Sequence, residues 1–170
     1  MVEIRPERPA ERTAVRRVNE AAFAGADEAD LVDRLRESAG ADYLARVAVL
    51  DDEVVGHIVF SPVTLDPPRP DLDLRGLAPM AVLPAHQRTG IGTALVRRGL
   101  DACRRDGADA VVVLGHPAYY PRFGFRRADT FGLTSQYEAP PEAFMALELV
   151  PGSLEDVRGG IVRYHRAFGS

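Results

Sequence analysis

Seven consecutive residues, Gln87-Arg88-Thr89-Gly90-Ile91-Gly92-Thr93, have the composition to hold a phosphate. They follow an apolar segment, Leu77 to Leu83, and open an amphipathic pattern that reaches Gly107. That order predicts a strand, a glycine turn and a helix N-terminus. The first amides of a helix have no acceptor inside it and carry partial positive charge. Glycine at 90 and 92 keeps side chains out of a ligand's way. Amides so arranged bind phosphate oxygens. No Asp or Glu lies between Asp73 and Asp101, while Arg75, His86, Arg88, Arg97 and Arg98 do. A chain of net charge −4 therefore keeps carboxylates away from its candidate phosphate turn.

The remaining reactive side chains are fewer. Tyr120, with Tyr119 beside it, is a phenol able to donate a proton to a leaving group. His116 stands at the end of the apolar run Ala110 to Leu114 and is a candidate base, since an imidazole titrates near neutrality. Glu20, Glu28 and Asp71 rank below it, and a water chain to a distant carboxylate serves equally well. His57 lies in a β-rich run and reads as a core or sheet-face histidine. Cys103 sits on the apolar face of a helical pattern and reads as a packed thiol. No set of residues has metal-ligand spacing, so no metal is expected.

Elements must position these groups. Val2 to Arg5 reads as a short strand. A helix opens at Pro9 and runs to about Phe23, and a second follows from about Glu28 to Ser38. Leu44 to Leu50 and Val54 to Val63 form a hairpin around Asp51-Asp52. Leu65 to Asp73 holds three prolines and reads as a loop. The strand Leu74 to Val82 contains Pro79, which cannot donate to a ladder, so a bulge is expected there. The helix Thr89 to Asp106 turns Ile91, Leu95, Val96, Leu100, Ala102 and Cys103 inward. Ala110 to Leu114 is apolar throughout, as in a strand buried on both faces. Strand, helix and buried strand make a parallel crossover. Short helix or turn is expected at Ala118 to Phe123, and strands at Phe144 to Leu149 and Ile161 to Tyr164.

The chain has 170 residues, 46% apolar and 27% charged, which suits one domain with a full core. Interspersed charge argues against nucleic acid as a partner. One cysteine excludes an internal disulfide. The start Met-Val-Glu-Ile-Arg-Pro-Glu has no apolar signal region, and no apolar run is long enough for a bilayer, so a cytoplasmic protein with no membrane partner is expected.

Which phosphate the turn takes depends on its pattern. A P-loop needs Gly-x-x-x-x-Gly-Lys-Ser/Thr, which is absent. A dinucleotide turn needs a third glycine where this chain has Leu95, and it belongs near the first strand. Gln87-x-x-Gly90-x-Gly92 after Ala81-Val82-Leu83-Pro84 instead resembles the pyrophosphate turn of the GCN5-related N-acetyltransferases (GNAT). Tyr120-Pro121-Arg122-Phe123-Gly124-Phe125 resembles that family's Tyr-x-x-x-Gly-Phe segment after its fifth strand, and only Tyr120 of the two tyrosines has that spacing. The order β-α-α-β-β-β-α-β-α-β-β is also similar over most of the chain, and Gly115-His116-Pro117-Ala118-Tyr119-Tyr120 is like a bacterial subgroup of predicted acetyltransferases. The similarity is least specific after Asp129.

The resemblance implies an α/β fold of the α+β kind, with a mixed, mostly antiparallel sheet. Strands four and five would be a parallel, splayed pair, flanked by helices. It implies a single acyl-CoA N-acyltransferase domain over residues 1–170. Acetyl-CoA would be the donor co-substrate and an amine of a small molecule or protein the acceptor. Gln87, Arg88, Thr89, Gly90, Ile91, Gly92 and Thr93 would bind the pyrophosphate. Ala81 and Val82 would offer backbone hydrogen bonds to the pantetheine arm and thioester. Tyr120 would be the catalytic acid. The family often pairs through C-terminal strands, which leaves a homodimer open. Two alternatives stand beside this reading: a transferase for a different acyl-CoA, and a non-catalytic acyl-CoA-binding or regulatory module. The acceptor and the general base are not read from the sequence.

Overall fold

The computed structural model describes residues 1–169. In chain order it contains β1 (Glu3–Pro6), α1 (Arg12–Phe23), α2 (Asp27–Ala39), β2 (Leu44–Leu50), β3 (Glu53–Asp66) and β4 (Leu74–Val82). Then come α3 (Ile91–Arg105), β5 (Ala110–Leu114), β6 (Arg126–Arg127), β7 (Thr134–Ser135), β8 (Phe144–Glu148) and β9 (Ile161–Arg163). Pairing is mixed and mostly antiparallel, with β4 and β5 parallel, as the sequence led us to expect. The chain divides into two compact units with interleaved segments: Met1–Phe60 with Ala78–Ala102, and Ser61–Leu77 with the chain from Cys103 onward.

In the first unit β1 runs antiparallel to β2, and β2 to β3. Asp51 and Asp52 both adopt left-handed φ, 51° and 64°, which matches the turn twist that a two-residue hairpin demands. Proline opens a short 3-10 turn, Pro9–Glu11, that leads into α1. Helix α1 buries Val15, Val18 and Asn19, and α2 buries Ala29, Val32 and Leu35, both at helical spacing. Within α3, Gly99 is dictated by packing, since a Cβ there would stand 2.7 Å from Cζ of Phe60.

In the second unit β4 pairs with β5 only from Leu74↔Ala110 to Gly76↔Val112. Pro79 lies beyond that ladder, and β4 continues past it to Val82 without the break a central proline would demand. Strand β5 runs antiparallel to β8 along its whole length, and β8 also pairs with β6. The end of β3 pairs with β9, which runs parallel to β7. Val63, Leu74, Val112, Leu133, Phe144 and Val162 are among the buried residues of this unit's core. Gly107, at φ +88°, closes α3 through its amide to Arg104 O and that of Ala108 to Cys103 O.

Most elements fall within two residues of their expected bounds, with three differences. Strand β3 extends to Asp66, because Thr64 to Asp66 gain a partner in β9. The two-residue strands β6 and β7 carry no alternation to read. Arg75 does not belong to the basic surround of the turn. It is 4% exposed, and its buried guanidinium bridges two solvent-exposed carboxylates of the second unit, Asp73 at 2.6 Å and Asp106 at 2.9 Å.

Candidate active site

The phosphate turn belongs to the first unit and is built from four local devices. Strand β4 ends with Ala81 buried and Val82 half-buried. The Leu83 amide then donates to Val55 O at 2.9 Å, holding the exit from β4 to β3. A 3-10 turn, Pro84–His86, follows. The Gln87 side chain folds back and donates from Nε2 to Val82 O at 3.0 Å, so one lone pair of that carbonyl is already taken. Thr89 Oγ1 donates to His86 O at 2.6 Å and fastens the far side of the loop.

Between these fasteners the backbone turns left-handed twice. Arg88 has φ 64° and Gly90 has φ 90°. Helix α3 begins with the Ala94 amide donating to Gly90 O at 3.0 Å, which makes Gly90 the cap residue. Amides ahead of that bond have no i−4 acceptor by helix geometry. Alternating backbone handedness followed by a helix start gathers N–H groups into an anion-binding hollow. Gly90 is required for its φ; a Cβ there would meet no atom within 4 Å, so the surrounding space is open. Arg88, Thr89 and Gly90 are exposed, Gly92 and Thr93 half-buried, and Ile91 buried in the unit's core. The structure thus brings together all nine residues read as donor-binding.

Tyr120, the tenth candidate, lies in the second unit, at the head of a 3-10 turn that runs to Phe123. Gly124 ends the turn at φ +100°, a backbone that explains the glycine of Tyr-x-x-x-Gly-Phe. The Tyr120 ring is 7% exposed and packs edge-on against Tyr119 and Phe125, with centroids 5.1 and 5.7 Å away. Burial, reinforced by Tyr119, pushes its phenol up to about 12. The ring rests over Gly115: a Cβ there would collide with Cε2 and stand 2.9 Å from Cδ2. Gly115 is therefore a positioning residue, a role the sequence reading did not give it. In the sequence it stands directly after a five-residue apolar strand and opens the segment Gly115 to Tyr120, but neither feature tells that a ring lies over it.

The weaker candidates separate clearly. His116 is exposed, and its carbonyl, not its ring, is used, accepting from the Tyr119 amide at 3.0 Å. Glu20 pairs with Arg16, and Asp71 with Arg69, both at the surface. Glu28 is half-buried in the first turn of α2. Cys103 is fully buried. His57 is buried, as expected, but within a polar cluster. Its Nε2 donates to Glu7 Oε1 at 2.7 Å, and its Nδ1 lies 3.4 Å from Asn19 Nδ2. Tyr43 Oη and Arg36 Nε also donate to Glu7, at 2.8 and 2.9 Å. Burial alone would raise the Glu7 carboxyl, yet the hydrogen bonds from His57 and Arg36 override it and hold the group at about 2. Glu7, Asn19, Arg36, Tyr43 and His57 come from five separate stretches, so nothing in the sequence announces them. Among the described residues no group of His, Cys, Asp and Glu has a metal-binding arrangement, and no helix is long and apolar enough to cross a membrane.

A sequence profile of the Acetyltransferase (GNAT) family matches residues 12–125. The chain is similar to the N-acetyltransferase YhbS of Escherichia coli K12, with 37% identity over 166 residues, 97% of each chain. A crystal structure of the E. coli YhbS protein in complex with CoA superposes with a TM-score of 0.91 at 34% identity, covering 99% of this chain and 92% of that one. A GNAT acetyltransferase from Brucella melitensis in complex with acetyl-CoA superposes with a TM-score of 0.79 at 37% identity, covering 99% and 98%.

Proposed function

The chain belongs to the acetyltransferase (GNAT) family, and from that membership we propose that it takes acetyl-CoA as donor and acetylates an amine by direct attack. The observation that carries this reading is the turn from Arg88 to Gly90, twice left-handed and opening directly into α3. Relatives with 34% and 37% identity that hold CoA or acetyl-CoA support it. In this reading the amides from Arg88 to Thr93 meet the pyrophosphate, and the backbone of Ala81 and Val82 meets the pantetheine arm. Residues 1–170 act as one acyl-CoA N-acyltransferase domain, in the cytoplasm, where the donor is supplied. Two facts of connectivity support one domain: each unit takes two chain segments, and β3, β4 and α3 each run through both.

The chemistry needs two proton movements. A neutral amine nitrogen attacks the thioester carbonyl carbon, a C–N bond forms and the C–S bond breaks. The nitrogen loses a proton to base and the departing thiolate gains one. We assign the second transfer to the Tyr120 hydroxyl. A phenol pushed up to about 12 stays protonated at neutral pH and is a proton donor, not a base. Rates should therefore show no fall at the ordinary phenol pKa near 10.

Tyr120→Phe tests the assignment. Acetyl-CoA affinity should be nearly unchanged, and single-turnover acetyl transfer should slow by about 10² or more, since general acids typically contribute 10²–10⁴. An undiminished single-turnover rate refutes the role of Tyr120. The absence of an acyl-enzyme is checked separately. All 21 Lys and Arg residues are arginine, so no lysine can take stray label, and stoichiometric acetyl on an internal residue would refute direct attack.

A further inference from the structure

A cleft of about 880 Å³ opens in the second unit between β7, the chain 137–141 and the start of β8. Its floor is apolar, with Leu133 and Phe144 from the buried core and Tyr137, Pro140 and Pro141 around them. The walls are held in place. Gln136 N donates to Val162 O at 3.0 Å, and Gln136 Oε1 accepts from Tyr164 N at 2.6 Å. Tyr137 packs on Tyr164 with centroids 5.5 Å apart, and Pro140 O accepts from Ala143 N at 2.9 Å. The volume falls in the range of roughly 300–1,000 Å³ typical of small-molecule sites.

Charge along the lining has one sign. Asp129 and Glu138 are its ionisable acids, and it includes no arginine. Asp129 is held by Arg127 at 2.5 Å. Glu138 is exposed and makes no ion pair among the described residues, so its charge is available to a cation.

The cleft is tied to the Tyr120 segment through one strand end. Phe144 pairs with Leu114, and the Gly115 amide donates to Ala143 O at 2.9 Å. Leu114 packs against the same core cluster as Leu133 and Phe144. Gly115, the next residue, lies under the Tyr120 ring. Successive residues of a strand face opposite ways. The end of β5 thus has the cleft's core on one face and the phenol on the other.

We propose that this cleft binds the acceptor, and that the acceptor is a small primary amine with an aromatic or aliphatic body. The inference rests on the acetyltransferase reading above. The apolar floor takes the body, and Glu138 draws the ammonium form to the mouth. Acceptors bearing a carboxylate or phosphate beside the amine are disfavoured by the same charge.

The test uses the full chain with tyramine and phenethylamine as probes, glycine as the charged comparator and hydroxylamine as a nucleophile without a body. Wild type should acetylate tyramine and phenethylamine with lower KM than glycine. Ala139→Trp, at an exposed position, fills the cleft and should raise both KM values at least tenfold. It should leave the CoA Kd unchanged, and the hydroxylamine rate should fall less than the rates with the two probe amines. Glu138→Gln should raise KM for tyramine and flatten its salt dependence. If wild type fails to bind CoA, the acetyltransferase reading itself fails. If CoA binds but the two probe amines neither bind nor react, or Ala139→Trp leaves their KM unaltered, the cleft assignment is overturned. It is equally overturned if Ala139→Trp only converts a dimer to a monomer in sedimentation.

Discussion

Replacing Gly115 by alanine adds a single methyl group where the Tyr120 ring already lies. The backbone there needs no glycine, since Gly115 has no left-handed φ and its amide bond to Ala143 O survives. The effect is therefore steric. The new Cβ would overlap Cε2 and approach Cδ2 to 2.9 Å and Cζ to 3.3 Å. Carbon atoms settle near 3.5–4.0 Å, so the ring must shift by roughly 1 Å. Overpacking of this kind costs about 1–3 kcal/mol. For a chain of this length that lowers Tm by roughly 3–10 °C. Catalysis should suffer more, because a misplacement of about 1 Å can cost about 10² in rate. The assay is a thermal melt beside single-turnover acetyl transfer, with CoA affinity followed by calorimetry. Affinity should hold while Tm and rate fall. In a Tyr120→Ala background the same methyl has room, so its Tm cost should largely vanish, a coupling that marks direct contact. An alanine variant with wild-type Tm and rate would refute the seating of Tyr120 over Gly115.

Three further outcomes follow from other parts of the molecule. Gly92→Val places a branched side chain in the first turn of α3 and should weaken acetyl-CoA at least about tenfold, or 1.4 kcal/mol; unchanged calorimetric affinity in a folded variant would remove the phosphate assignment. Arg88→Ala should weaken CoA modestly and reduce its salt dependence, because an exposed charge is screened while amide contacts are sheltered; identical salt slopes would reduce Arg88 to a surface residue. Glu7 is held at about 2 against an ordinary 4.5, so its contribution to stability is full above about 4.5 and is lost as pH falls toward 2. Glu7→Gln should therefore destabilise at pH 7, by on the order of 3 kcal/mol, with the gap to wild type closing on acidification. Urea midpoints across that window decide it, and a gap independent of pH would refute the assigned ion pairing.

Local information carried far along this chain. Gln87 to Thr93 is one uninterrupted stretch, and its glycines, its flanking strand and its helix pattern are each set by neighbours in sequence. The turn and α3 were legible for that reason, as were β2, β4 and β5, whose apolar runs end at turn residues. Tyr120 was picked out by its spacing to Gly124, which the structure explains through a left-handed φ. What sequence alone could not supply are facts that depend on residues far apart becoming neighbours. Arg75 looked like part of a basic surround until Asp106, from the end of α3, joined its near neighbour Asp73 on the guanidinium. His57 looked like an ordinary core histidine until Glu7, Asn19 and Tyr43 closed around it from other elements. The cleft beside Phe144 has no motif, and the segment Gly115 to Tyr120 does not tell that the ring lies over Gly115, because free volume belongs to no single segment. Backbone conformation follows from near neighbours and so is written along the chain; burial, charge pairing and cavity shape are decided only once the chain has folded onto itself.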